Sequence, residues 1–240
     1  MSSLSDFIRK AHHSFCSVVV VAAGNSIRMG KDKLLLPLDG VPVLARTLTA
    51  LNNCRAVDEI IVVAHAEKLD AIGAMRDEYA IEKLKKIVIG GATRTESALS
   101  GVSEADRRAK IICIHDGVRP FVTDEIIEDV IHYAVLYHAA APAIPVKDTI
   151  KVASDGVAIQ TPDRSQLFAV QTPQAFDADI IKAALTKAVT EGLSYTDDCA
   201  AVEALGVQTY LSRGSEDNIK ITTPPDLFLA EAIQRNRSGK

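Results

Sequence analysis

The sequence predicts an α/β protein built on a mostly parallel sheet, and three observations lead there. Short β-branched runs alternate with longer segments of helical period. Several runs are apolar at every position, as strands covered on both faces must be. A small, glycine-containing turn follows the first run. Strands are predicted at residues 17–22, 60–64, 86–89, 110–115 and 141–146, with helices at 43–52, 68–79, 95–105 and 124–138. Thr93 and Glu96 have capping-box spacing and should start the third helix.

After Val146 the rhythm changes. Residues 147–170 hold a Ser154-Asp155-Gly156 turn between two alternating runs, which reads as a β-hairpin. No helix crosses back, so this piece is expected to leave the sheet as an arm. A helix from about Asp177, a short one from about Asp197, a strand at 207–211 and a last helix follow. Thr223 should cap that last helix, with Pro224 at its first position and Asp226 closing the box. With no repeat or linker, residues 1–240 read as a single domain. Residues 1–16 form an N-terminal extension and about 147–170 an inserted β-arm.

Composition narrows the function classes. The 240 residues carry a net charge of −4 with no basic block, so no nucleic-acid footprint is expected. The longest apolar stretch, 18–23, is far short of the ~20 residues a bilayer requires. The N-terminus has no apolar core of signal-peptide length, and a cytoplasmic location is expected. Four scattered cysteines (Cys16, Cys54, Cys113, Cys199) without a C-x-x-C do not suggest a zinc site.

The first predicted strand runs into Ala22-Ala23-Gly24-Asn25-Ser26-Ile27-Arg28-Met29-Gly30-Lys31-Asp32-Lys33. Such a turn brings backbone N–H groups against phosphate oxygens. It is not Walker A, because five residues separate the glycines and Lys31-Asp32 follows. It is not the dinucleotide fingerprint either, because Ser26 replaces the second glycine. Arg28 and Lys33 add two cations, which suits a substrate whose charge rises during reaction; solvated loop charges are the alternative. A second cluster, His115-Asp116-Gly117-Val118-Arg119-Pro120, ends the fourth strand. Asp116 is placed to hold Mg²⁺, and Arg119 can fork onto phosphate or carboxylate; an Asp-Gly turn with a structural Arg is the alternative. His115 reads as a packed residue. Tyr79 and Lys83 have Y-x-x-x-K spacing but fall too early in the fold for a reductase. Asp197-Asp198 reads as a pair favouring a helix dipole rather than as a metal pair.

The set AAGxxxRMG…K, GGATRTESALSG, HDGVRPF, DTIK, TPDRSQLFAVQTPQAF, TDDCAAVEALG and GSEDNIKITTPPDL resembles the 2-C-methyl-D-erythritol 4-phosphate cytidylyltransferase family, from about Ser17 to Ile233. The resemblance implies a Rossmann-like sheet of the nucleotidyltransferase or glycosyltransferase-A type with a protruding β-arm. It also implies a reaction in which the substrate's phosphate attacks the α-phosphorus of CTP, giving the cytidine diphosphate alcohol and pyrophosphate with Mg²⁺. Under it, Arg28 and Lys33 stabilise the crowded α-phosphate, with Lys31 a rival for Lys33, and Lys220 reaches the same phosphate. Ala22, Ala23 and Gly24 lie along base and triphosphate, Gly91 and Ser97 read the cytosine edge, and Asp116 lies near Mg²⁺ and the ribose.

For methylerythritol phosphate the matching positions are Arg119, Thr149, Arg164, Thr172 and Thr196. Thr149 and Arg164 lie on the arm, which in the family crosses to a second subunit, so a symmetric homodimer is implied. The sequence departs from the family at Ser26, at Asp32-Lys33-Leu34 and at Ala92. A cytidylyltransferase for a pentitol phosphate such as ribitol 5-phosphate, and a non-catalytic nucleotide-binding homologue, are the rival readings.

Overall fold

Strand β1 (Cys16–Val21) is buried along nearly its whole length and sits at the centre of the sheet. The computed structural model describes residues 14–24 and 33–238. A strand with Val18 and Val20 on one face and Val19 on the other needs cover on both. The chain supplies that cover by crossing over repeatedly. A small hairpin, β2 (Pro37–Leu38) and β3 (Val41–Pro42), leads into α1 (Val43–Asn53) and β4 (Glu59–Ala64). Helix α2 (Leu69–Glu78), β5 (Leu84–Ile89), α3 (Arg94–Ser103), β6 (Ile111–Asp116), α4 (Asp124–Tyr137) and β7 (Ala139–Pro145) follow. β1 pairs in parallel with β4 and β6, and β4 pairs in parallel with β5. These crossovers agree with the predicted strands and helices to within about two residues at most ends.

Beyond β7 the pairing turns mixed. β8 (Val152–Ser154) and β9 (Val157–Gln160) form a separate, fully exposed hairpin. Asp155 and Gly156 turn it with φ of 50° and 81°, the left-handed backbone that two-residue hairpin loops require. The predicted arm, 147–170, overshoots the part that leaves the sheet: β10 (Phe168–Val170) already returns to pair with β7. β11 (Gln174–Asp177), absent from the predicted strands, lies antiparallel between β6 and β7. Four residues, two of them polar, carry too little periodicity to announce a strand.

The rest follows the expected order. Asp177 caps α5 (Ala178–Thr190), accepting from Asp179 and Ile180 N–H, and Asp197 caps α6 (Asp198–Glu203) through Ala200 N–H. β12 (Tyr210–Arg213) starts three residues later than its predicted strand and pairs in parallel with β7. Before α7 (Pro224–Ser238) the Asp226 carboxylate accepts from Thr222 and Thr223 N–H, which closes the box. One core lies between the sheet and α1, α2, α4 and α7; the other lies under α3, α5 and α6. No helix among the described residues is long and apolar enough to cross a membrane.

Helix α3 approaches the sheet at Gly101, where a Cβ would stand 2.3 Å from Val19 Cγ1 and 2.6 Å from Val63 Cγ2. Alanine there gains about 1 kcal/mol of helix propensity but meets two buried valines that have no room to retreat. Gly101→Ala should therefore lower unfolding free energy by a net ~1–2 kcal/mol, read from denaturant midpoints.

Candidate active site

The carboxyl ends of β1, β4, β5 and β6 open on one side of the sheet, where α/β proteins bind ligands. A cleft of about 300 Å³ lies there. Ala22, Ala23 and Gly24 form its floor, Gly91, Arg94 and Ser97 one wall, and Asp116 with Lys220 the other; Lys33 and His65 also line it. A wider depression between α3 and α5, about 800 Å³ and lined by Lys86, Glu104 and Lys182 among others, lies away from these strand ends. There Lys86 is already paired with Glu104 at 2.9 Å.

Close backbone approach shapes the first wall. A Cβ at Gly90 would stand 2.7 Å from Ala23 Cβ and 2.8 Å from Ser97 Oγ, so only glycine lets the two turns meet. The predicted capping box is complete: Thr93 accepts from Glu96 N–H, and the Glu96 carboxylate accepts from Thr93 N–H. Ser97, which lines the cleft, donates to Thr93 O at 2.9 Å.

The second wall is an acid between cations. Asp116 Oδ2 lies 3.0 Å from Lys220 Nζ and 3.1 Å from Arg119 Nε. Burial pushes this carboxyl up, but Lys220, Arg119 and Arg94 outweigh it and bring it down to about 2. Behind it, Asp116 N–H donates to Thr172 Oγ1, which lies 2.9 Å from His115 Nδ1. Arg119 O, 3.3 Å from Nε2, can only accept, so the neutral His115 ring carries its proton on Nε2 and Nδ1 accepts from the Thr172 hydroxyl. Burial holds His115 down at about 4, so it is a neutral ring with both nitrogens engaged.

Sequence reasoning missed Arg94, a member of the cleft. Arg94 makes a bidentate pair with Asp198 at 2.9 and 2.6 Å. Burial pushes the Asp198 carboxyl up and the Arg94 guanidinium opposes that push. Gln174 Oε1 accepts from Asp198 and Cys199 N–H, and its amide donates to Asp197 at 2.9 Å. The acid pair at 197–198 therefore works as a helix cap and an ion-pair anchor. No local spacing could have joined Arg94 to a residue 104 positions away.

The site residues named from the sequence that lie among the described residues fall into three groups. Ala22, Ala23, Gly24, Lys33, Gly91, Ser97, Asp116 and Lys220 share the cleft. Arg119 and Thr172 stand behind Asp116; Arg119 also donates to Asn218 O at 2.7 Å. Thr149, Arg164 and Thr196 are exposed, and Arg164 donates to Lys147 O at 2.8 Å. Arg28, its neighbour Ser26 and the rival Lys31 lie outside the described residues, as do residues 1–13 of the extension. For a metal, the donor chemistry fits a hard divalent cation: among the described residues both ion-pair contacts of Asp116 fall on Oδ2, and its carboxylate offers a second oxygen. Mg²⁺ commonly takes one carboxylate together with phosphate oxygens and water.

Asp116 also predicts an acid response. A carboxyl lowered from 3.8 to about 2 stabilises the fold above the unfolded value and loses that contribution as pH falls through the folded one. Asp116→Asn should cost ~2 kcal/mol at pH 7, and urea titrations should show that gap closing between about pH 4 and about pH 2.

The sequence profile of the 2-C-methyl-D-erythritol 4-phosphate cytidylyltransferase family matches residues 16–236. A protein of that name from Caldanaerobacter subterraneus subsp. tengcongensis is 45% identical over 223 residues, covering 91% of this chain and 98% of its own. One from Clostridium novyi is 44% identical, with 91% and 96% covered. Among solved structures, the 4-diphosphocytidyl-2C-methyl-D-erythritol synthase of Anaerococcus prevotii superposes with a TM-score of 0.83 at 31% identity. That match covers 93% of this chain and 97% of the other. Agreement in sequence profile, length and fold leads to one conclusion: this chain belongs to the 2-C-methyl-D-erythritol 4-phosphate cytidylyltransferase family.

Proposed function

We propose that the cleft carries out the family's reaction, with CTP lying across it and the alcohol phosphate entering beside Lys220. The enzyme transfers CMP from CTP to 2-C-methyl-D-erythritol 4-phosphate, giving 4-diphosphocytidyl-2-C-methyl-D-erythritol and pyrophosphate in isoprenoid precursor synthesis. The observation that carries this placement is the charged Asp116–Lys220 pair facing the Ala22–Gly24 turn across one cleft.

The chemistry follows from the charges. A phosphate oxygen of the alcohol substrate forms a bond to the α-phosphorus of CTP while the bond to pyrophosphate breaks. The attacking oxygen is already an anion, so no base need remove a proton, and His115 has no free nitrogen to offer one. The chain's work is alignment and charge neutralisation. Lys220, with its side chain 41% exposed, can lean from Asp116 to the α-phosphate. Lys33 and Arg28 complete the neutralising set, and Ser97 with the Gly91 turn holds the base. Asp116 Oδ1 would hold Mg²⁺, which when bound supplies positive charge to the triphosphate.

The alcohol phosphate is assigned to Arg119, Thr149, Arg164, Thr172 and Thr196. Thr149 and Arg164 flank the β8–β9 hairpin, whose Val157 and Ile159 are each 66% exposed. That apolar face supports a symmetric homodimer in which the arm of one subunit reaches the site of the other. Four buried, free cysteines suit a reducing compartment, in keeping with the cytoplasm.

Pyrophosphate release should require CTP, Mg²⁺ and methylerythritol phosphate together; release with ribitol 5-phosphate at a higher kcat/KM would overturn the substrate assignment. Lys220→Ala should lower kcat by roughly 10²–10³. Arg164→Ala should raise KM for the alcohol phosphate by ~10-fold or more and leave CTP affinity within about twofold, measured by steady-state kinetics. Equal loss of both affinities would remove Arg164 from the alcohol-phosphate site.

A further inference from the structure

One ion pair joins two helix starts that belong to different halves of the site. Arg94 opens α3 and lines the cleft with Gly91 and Ser97. Asp198 opens α6 two residues after Thr196, and its carboxylate is buried. The guanidinium donates from Nη1 and Nη2 to the two carboxylate oxygens, at 2.9 and 2.6 Å.

Neither helix depends on this pair for its start. α3 has the complete box of Thr93 and Glu96, and α6 has Asp197, which accepts from Ala200 N–H. Gln174 Oε1 takes up the Asp198 and Cys199 N–H groups. A buried pair adds little net stability, because desolvation offsets attraction, but separating its partners is costly. What the fork supplies is geometry, since two parallel bonds fix an orientation that one bond leaves free. Its acid end is itself fixed, because Gln174 is buried in β11 and that strand is paired with β6.

Thr196 has few supports of its own. It is exposed, lies outside any helix or strand, and follows the exposed residues 191–194. Its neighbour Tyr195 packs against the core under α3, α5 and α6, and on its other side the chain is held at Asp197 and Asp198. The place of its hydroxyl relative to the cleft is thus set largely by the residues that follow it, and the fork is what refers those residues to the Gly91 turn.

The inference rests on the proposed function, which assigns Gly91 and Ser97 to the base and Thr196 to the alcohol phosphate. We infer that Arg94 is a positioning residue for the alcohol phosphate: through its fork to Asp198 it sets where Thr196 stands relative to the nucleotide turn. A side chain on the nucleotide wall then governs the affinity of the other substrate.

Arg94→Lys and Asp198→Asn, each in the full-length protein, break the fork in different ways. The first keeps a cation beside the buried acid and the second keeps the size of the side chain; thermal melts check that both fold. KM for methylerythritol phosphate should rise roughly 10-fold in each, the low end for one hydrogen bond to a charged group, with KM for CTP within about twofold. The double variant should be no worse than either single one, because both remove the same bond. With Thr196→Ala already in place, Arg94→Lys should add nothing, since no hydroxyl is left to position.

An unchanged KM for the alcohol phosphate overturns the inference, as do additive losses with Thr196→Ala. So does a fall in CTP affinity in Arg94→Lys, which would make the guanidinium a nucleotide contact or a general support of the fold. Failure of the unmutated enzyme to release pyrophosphate would instead overturn the proposed reaction. Calorimetric titration of methylerythritol phosphate into enzyme holding Mg²⁺ and the α,β-methylene analogue of CTP, which cannot turn over, then makes the same comparison. Binding ~10-fold weaker in the fork variants supports the positioning role, equal binding overturns it, and no binding to the unmutated enzyme overturns both readings.

Discussion

A carboxylate that stays charged inside a protein needs cations close by, and meeting that need at Asp116 ties distant parts of the chain together. Desolvation alone would drive the group towards its neutral form. Arg119 lies three residues ahead in a tight turn, but Lys220 must be carried back from beyond β12. The return is held by buried polar groups. Asn218, fully buried, donates its amide to Thr172 O and Gln171 Oε1, and the Gln171 amide donates to Ser215 O at 2.7 Å. The end of β6, the link between β10 and β11, and residues 215–220 thus form one network. Partly satisfied networks of this kind are costly, so the charge and the backbone path support each other.

A second ion pair does similar work on the other side of the cleft. The forked Arg94–Asp198 contact joins the turn that opens α3 to the loop that opens α6. Buried pairs contribute little net stability because desolvation offsets attraction, but they penalise any arrangement that separates the partners. The pair therefore acts as a ruler between the nucleotide side, at Gly91 and Ser97, and the Thr196 loop. Gln174 holds the far end, which gives β11 a purpose beyond sheet pairing: its side chain fixes the first amides of α6.

Much of this was legible before any coordinates. The alternation of apolar runs and helical segments fixed the crossovers because most runs are buried on both faces. The Thr93–Glu96 and Thr223–Asp226 boxes were readable from spacing, while Asp177 and Asp197 were readable only as helix starts. The Ala22–Gly24 turn and Asp116, which follow or end strands, were legible for the same reason, whereas Gly91, Ser97 and Lys220 were nameable through the family resemblance. What escaped were features that no local window contains. β11 is too short to show a period, and the Arg94–Asp198 pair joins residues 104 positions apart. Thr149, Arg164 and Thr196 were nameable only through the family resemblance, since nothing near them in this chain closes a site.

Exposure divides the labour among the cations. Arg119 has a side chain 11% exposed and is held at both ends, by Asp116 and by Asn218 O, whereas the Lys220 side chain is 41% exposed and, among the described residues, pairs with Asp116. A phosphate entering the cleft competes with Asp116 for Lys220 at little cost, because an ammonium on a flexible stem can serve both anions. Arg119 keeps both of these contacts, through Nε and Nη1, and would meet a phosphate with its remaining nitrogen without leaving either. The fixed guanidinium therefore stays with Asp116 while the lysine can follow charge as it builds on the α-phosphate. A site that works by neutralising a developing charge needs this division, one cation to hold the acid and another to move.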